Sequence, residues 1–133
     1  MIIKQIPIVS LRKAVFKLLK EGQKTSIYGT VSVQAKLPYI TIGALTFKPL
    51  QTKDLTIWQN SLQIDVWADK NGKLQVNETL NDICILLSVY GKELELEEYT
   101  IIDCNINLVE DFPELTTGHH GVVTVDFTLQ QKE

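Results

Sequence analysis

Over the twelve residues from Ile57 to Ala68 the chain follows a two-residue period that leaves few choices of local structure. Trp58, Leu62, Ile64, Val66 and Ala68 share one parity, and Gln59, Gln63 and Asp65 take the other. Successive side chains of an extended chain point to opposite faces, so this pattern predicts a strand with one face on a core and one in water. A sheet built of such strands must have its apolar face covered by another layer. Trp67 stands on the polar side. It either packs over the outer face of the sheet or serves as an aromatic anchor at a protein interface, where such residues are enriched.

Two segments have the period of the covering layer. Leu11, Ala14, Val15, Leu18 and Leu19 fall at i, i+3, i+4, i+7 and i+8 and predict a helix over residues 7–21. Pro7 or Ser10 can begin it and Gly22 can cap its end. Phe16 lies off this stripe. Asp69-Lys70-Asn71-Gly72 is a turn, and after it Val76, Leu80, Ile83, Cys84, Leu87 and Tyr90 form the stripe of a second helix over about 74–90, with Gly91 as terminator. Both helices are one-sided, as helices lying on a sheet must be.

The remaining strands are placed by shorter signals. Thr25 to Val33 predicts a short strand interrupted at Tyr28-Gly29. Leu37 to Gly43 enters a strand through Pro38 and continues to Phe47, with Ile40, Ile42 and Ala44 as its inward set. Leu94 to Glu98 is a short edge strand or a loop. From Tyr99 to Val109 the inward residues are Ile102, Cys104, Ile106 and Leu108. Glu110 to Leu115 is expected as a loop and Thr116 to Gly121 as a turn, before a last strand over Val122 to Leu129 that buries Val123, Val125, Phe127 and Leu129. The order is α-β-β-β-α-β-β. It predicts an α+β two-layer domain, mainly antiparallel, with both helices on one face.

At 133 residues one domain over 1–133 is expected, and 44% hydrophobic against 22% charged residues is the composition of a folded chain. A net charge of -3 argues against a surface that grips duplex DNA through its phosphates. Arg12, Lys13, Lys17 and Lys20 are assigned to the solvated face of the first helix. Cys84 and Cys104 lie far apart without metal-ligand spacing and are expected as buried reduced thiols. The start of the chain lacks a signal-peptide pattern and no apolar run is long enough to span a bilayer, so a soluble protein made in a reducing cytoplasm is expected, with no membrane partner.

Chemistry is sparse. His119 and His120 are adjacent and, on an extended chain, point opposite ways, so a shared metal is not expected even with Asp111 and Glu114 nearby. Asp103 and Asp126 are a candidate carboxylate pair across the last two strands. No nucleophile has a base beside it, and Gly118 to Gly121 precedes a strand rather than a helix N-terminus. An enzyme is disfavoured, and neither cofactor nor metal is expected. The polar stretch Lys48 to Leu55 is longer than a tight hairpin needs. It is either an ordinary loop or a hairpin arm reaching a neighbour.

Three features in order carry a resemblance. Pro38-Tyr39-Ile40-Thr41-Ile42-Gly43 follows a first helix and a short strand; Ile64-Asp65-Val66-Trp67-Ala68 leads through a turn to the helix containing Leu80 to Leu87; His120-Gly121 leads into the closing strand. In this order and spacing the chain resembles the small tail-completion, or tail-to-head joining, proteins of long-tailed bacteriophages. The resemblance implies a virion protein, of phage or prophage origin, assembled in the host cytoplasm and placed at the head-proximal end of the tail. It implies a ring of copies, commonly a hexamer, touching head connector and tail tube proteins, with DNA passing through without specific binding. It implies that the segment from Phe47 to Ile57 is a contact arm, so that Lys48, Pro49, Leu50, Gln51, Thr52, Lys53, Asp54 and Leu55 become interface candidates beside Trp67. The competing expectation is a small ligand-binding or adaptor domain of a bacterial host.

Overall fold

The computed structural model describes residues 3, 5–50, 52–116 and 118–133. The elements run α1 (Ile8–Gly22), β1 (Ser26–Tyr28), β2 (Tyr39–Leu50), β3 (Ile57–Ala68), α2 (Lys73–Tyr90), β4 (Tyr99–Glu114) and β5 (Gly118–Gln131), with a 3-10 turn at Gly91–Glu93. This is the expected α-β-β-β-α-β-β order. The five strands form one sheet in the order β1-β2-β3-β5-β4, antiparallel throughout except that β1 runs parallel to β2.

Both helices lie on one face of the sheet, α1 over β1 and β2, α2 over β3, β5 and β4. Leu11, Val15 and Leu19 of α1 and Val76, Leu80, Ile83 and Leu87 of α2 join a single core with Ile40, Leu62, Ile64, Val66, Val123, Val125, Phe127 and Leu129 from the strands. Each such side chain, fully buried, contributes about 1.5–3 kcal/mol relative to exposure, which is what holds two marginal helices in place. The predicted apolar sets of β3 and β5 are the observed ones.

The inward sets of β2 and β4 differ from expectation because of bulges. In β2 the register passes from Ile42↔Ile64 to Leu45↔Leu62, so one extra residue on β2 reverses the parity. Ala44 is therefore exposed, and Leu45 and Phe47 pack on the core instead. In β4 an extra residue lies between Ile101 and Asp103 and another between Ile106 and Leu108. Ile101, Cys104 and Ile106 face the helices, whereas Ile102 and Leu108 are exposed. A period-two pattern does not reveal a bulge, since an insertion changes which face comes next without changing the residues themselves.

Segment ends also move. The first strand is Ser26–Tyr28 rather than Thr25 to Val33, and β2 runs on to Leu50. Leu94 to Glu98 is a loop with a single bridge, Glu95↔Thr100. Gly91 does not stop the helical path, which continues through the 3-10 turn. The expected loop at Glu110 to Leu115 is strand as far as Glu114, and the expected turn over Thr116 to Gly121 is strand from Gly118 onward. Thr117 lies outside the described residues. Pairing decides these cases: residues 110–114 include three acids and a proline, yet they lie opposite Val122 to Gly118 and complete a long β4–β5 hairpin.

Candidate interaction surfaces

The segment Lys48 to Leu55 divides in two. Lys48, Pro49 and Leu50 are the end of β2, paired with Gln59, Trp58 and Ile57 of β3. The connection is the remainder up to Thr56, of which Gln51 lies outside the described residues. Within it the Thr52 hydroxyl donates to the Leu55 carbonyl and accepts from the Leu55 amide at 3.1 Å, a local turn of the kind short hydroxyl side chains build. Lys53, Asp54 and Leu55 are exposed, and Thr56 is buried, its carbonyl accepting from the Gln131 amide at 2.9 Å. Behind the tip, Trp58 Nε1 donates to the Tyr99 hydroxyl at 3.2 Å, and Tyr99 donates to Gln131 Oε1 at 3.2 Å. The tip is thus a short exposed cap on a well-tied end of the sheet.

Trp67 is at the other end. It stands ten positions after Ile57 along β3, roughly 33 Å of extended strand. It lies on the sheet face away from the helices, half-buried, and its Nε1 donates to Thr41 Oγ1 at 3.0 Å. Its ring stacks on His120, centroids 3.8 Å apart and planes 20° from parallel, and Phe112 closes on the same imidazole at 4.9 Å. His120 Nε2 donates to Asp65 Oδ1 at 2.8 Å, and Nδ1 lies 3.6 Å from Glu114 Oε2. Gln63 Nε2 donates to Asp65 Oδ1 at 2.9 Å. The register that sets Trp67, His120 and Phe112 side by side on β3, β5 and β4 assembles this cluster. Trp67 and the hairpin tip are therefore two separate features. The His120 cluster escaped the sequence because Gly118 to Gly121 looks like a turn; the clue was parity, since His120, Val122, Thr124 and Asp126 continue one alternating face of β5.

The other candidates for chemistry are dispersed. His119 faces the helix side and meets Asp111 at 3.4 Å, so the two imidazoles diverge. Among the described residues no group of three His, Cys, Asp or Glu side chains is arranged to hold a metal ion. Asp103 and Asp126 do not pair: Asp103 accepts from Asn105 at 2.8 Å and Asp126 from Asn107 at 2.7 Å. Cys84 and Cys104 are both free and half-buried. Burial, and secondarily the Asp103 charge, pushes the Cys104 thiol up to about 11, and burial raises Cys84 as well. Arg12, Lys13, Lys17 and Lys20 are exposed along α1. No helix among the described residues is long and apolar enough to cross a membrane.

The family model described as Tail completion protein gp17 matches residues 12–130. The chain belongs to this family. It is accordingly a phage tail structural protein, a virion component. The fold is shared with a chain of the virion of a native gene transfer agent particle, at TM-score 0.71 and 15% identity, covering 93% of this chain and 96% of that one. It is also shared with the gp17 protein of bacteriophage SPP1, at TM-score 0.54 and 17% identity, covering 94% and 92% respectively. No curated protein sequence matches the chain. The family match spans all the elements that carried the sequence resemblance, from within α1 to the end of β5.

Proposed function

We propose that the protein completes the head-proximal end of a phage-type tail and joins it to the head connector as a ring of identical copies. The observation that carries this reading is the family match over residues 12–130, which leaves only short ends of the chain outside it. The acidic balance, with net charge -3, suits a ring through which DNA passes without being gripped. In this reading the exposed cap of the β2–β3 hairpin, with Lys53, Asp54 and Leu55 at its tip, meets the connector or the tail tube. A cap tied at its base and free at its tip can be altered without unfolding the sheet.

The test is deletion of the gene in the particle that encodes it, followed by electron microscopy of the lysate. Filled heads and finished tails that accumulate side by side unjoined, and that join when the protein is supplied, are the expected result. Fully joined infectious particles from the deletion strain would overturn the proposal.

A further inference from the structure

We propose that copies of this chain associate head to tail, the basic flank of α1 on one copy seating in the groove between α2 and β4 of the next. The inference deepens the ring reading above by naming the surfaces that would form it, and it rests on that reading for its biological setting.

α1 and β4 carry net charge of opposite sign, while Lys13 of α1 also lines a depression with Glu97 and Glu98. The helix α1 carries Arg12, Lys13, Lys17 and Lys20 against the single acid Glu21. Among the described residues none of these four bases has an ion-pair partner. Arg12, Phe16 and Lys20 fall at i, i+4 and i+8 and so form one line along the helix. Arg12 and Phe16 line an open depression with Tyr28 and Ile42, which places the line on the β1 flank of the molecule. At the opposite end of the strand order, β4 carries Asp103, Glu110, Asp111 and Glu114 and no base. Between β4 and α2 lies an open groove of about 550 Å³ with Leu80, Cys84 and Val109 in its lining and Glu110 and Asp111 beside them.

The two patches are opposite in sign, sit on opposite flanks, and each combines charges with apolar area. A contact between like patches would set base against base or acid against acid, so two-fold pairing is disfavoured. A contact between unlike patches leaves one of each kind free on every added copy, which is the requirement for a ring or a filament. Charges at the rim set register and encounter rate, while Phe16 and the aliphatic lining of the groove contribute the burial. An occupant that completes the acidic groove must be basic and carry an apolar ridge, and α1 of a second copy is both.

The test uses the full chain with Arg12→Cys in a Cys104→Ser background, so that the thiols are the new one on α1 and native Cys84 in the groove. Mild oxidation at low salt is expected to give a reducible ladder of dimers, trimers and larger species. Adding Cys84→Ser should reduce the ladder to dimers at most. Raising salt from about 0.1 M to 1 M, which shortens the screening length from about 10 to 3 Å, should suppress it, as should Lys17→Glu with Lys20→Glu. Circular dichroism confirms that each variant is folded. Dimers alone, whether or not Cys84 is present, would overturn the proposal by showing two-fold pairing. Absence of any linked species would overturn it too. So would retention of duplex DNA by the wild-type chain, lost in the α1 variants, with no ladder, because the basic flank would then serve DNA. If no ladder forms but deletion still leaves heads and tails unjoined, the surfaces are wrong and the joining function stands. A ladder together with joined deletion particles would keep the contact and remove the function.

Discussion

Three glycines test the packing around β5 and the turn that abuts it, because an alanine methyl meets a different environment at each. At Gly118 φ is +125°, and an added Cβ would lie 2.1 Å from the Lys70 backbone nitrogen and 2.4 Å from the Asp69 carbonyl carbon. Neither neighbour is a side chain that can rotate away. Backbone strain of about 1–3 kcal/mol adds to an overlap of about 1–3 kcal/mol, so Gly118→Ala should lose about 3–5 kcal/mol. At Gly121 the Cβ would meet Val76 Cγ1 at 2.6 Å and both Leu80 methyl carbons at 3.0 Å. Those are tips of side chains on α2, so the helix can shift, and the overlap of about 1–3 kcal/mol is partly offset by about 0.4–1 kcal/mol from a stiffer unfolded chain. A net loss of about 1–2 kcal/mol is expected. At Gly29 no atom lies within 4 Å and φ is not in the left-handed region, so Ala should leave stability unchanged or raise it by up to about 1 kcal/mol. Urea unfolding followed by circular dichroism measures the series. With a slope of about 1–3 kcal/mol per molar, the Gly118 and Gly121 midpoints should differ by about 1 M. If Gly118→Ala unfolds with Gly29→Ala, the close approach of the β5 start to the Asp69–Gly72 turn is wrong. If Gly121→Ala is the worst of the three, the helix is not free to adjust.

Other outcomes follow from the polar face and the thiols. Replacing Asp65 by Ala removes the acceptor for buried His120 Nε2 and should destabilise by about 1–3 kcal/mol; Trp67 emission should shift with it, since that ring stacks on His120, and an unchanged spectrum would contradict the stack. Cys104, raised from an ordinary 9.0 to about 11, stays a thiol at neutral pH, so the folded protein should react slowly with a disulfide reagent at pH 8. Because the folded value is the higher one, its contribution to stability is complete below pH 9 and lost as pH climbs towards 11; Cys104→Ala should flatten that decline, and an unflattened one would refute the assignment. Replacing residues 52–55 by a tight Asn-Gly turn should leave the unfolding free energy from urea titration within about 0.5 kcal/mol of wild type, because Lys48 to Leu50 keep their β3 partners. The same variant should fail to join tails to heads, and joining at wild-type yield would remove the tip from the interface.

Much of the fold was legible because two periods dominate it. A burial face that recurs every two residues in β3 and β5, or along one stripe in α1, needs no information from the rest of the chain. The candidate interface was less legible. Lys48 to Leu55 was a single polar stretch in the sequence, yet its first three residues are strand, since Ile57, Trp58 and Gln59 stand opposite to pair with them. Trp67 could be placed on the polar face but not beside His120, because that neighbour comes from β5, 53 positions further along (120 minus 67).

The sequence by itself determined the element order, the two-layer class, the core of β3, β5 and both helices, and the family resemblance. Those properties are written in local period and in the spacing of short motifs. Only the tertiary structure decided the faces of β2 and β4, the extension of β4 to Glu114 and the start of β5 at Gly118, and the placement of the Arg12–Phe16–Lys20 line and the β4 acids on opposite flanks. Bulges, hairpin pairing and strand order are relations between distant segments, and they change what a residue faces without changing the residue.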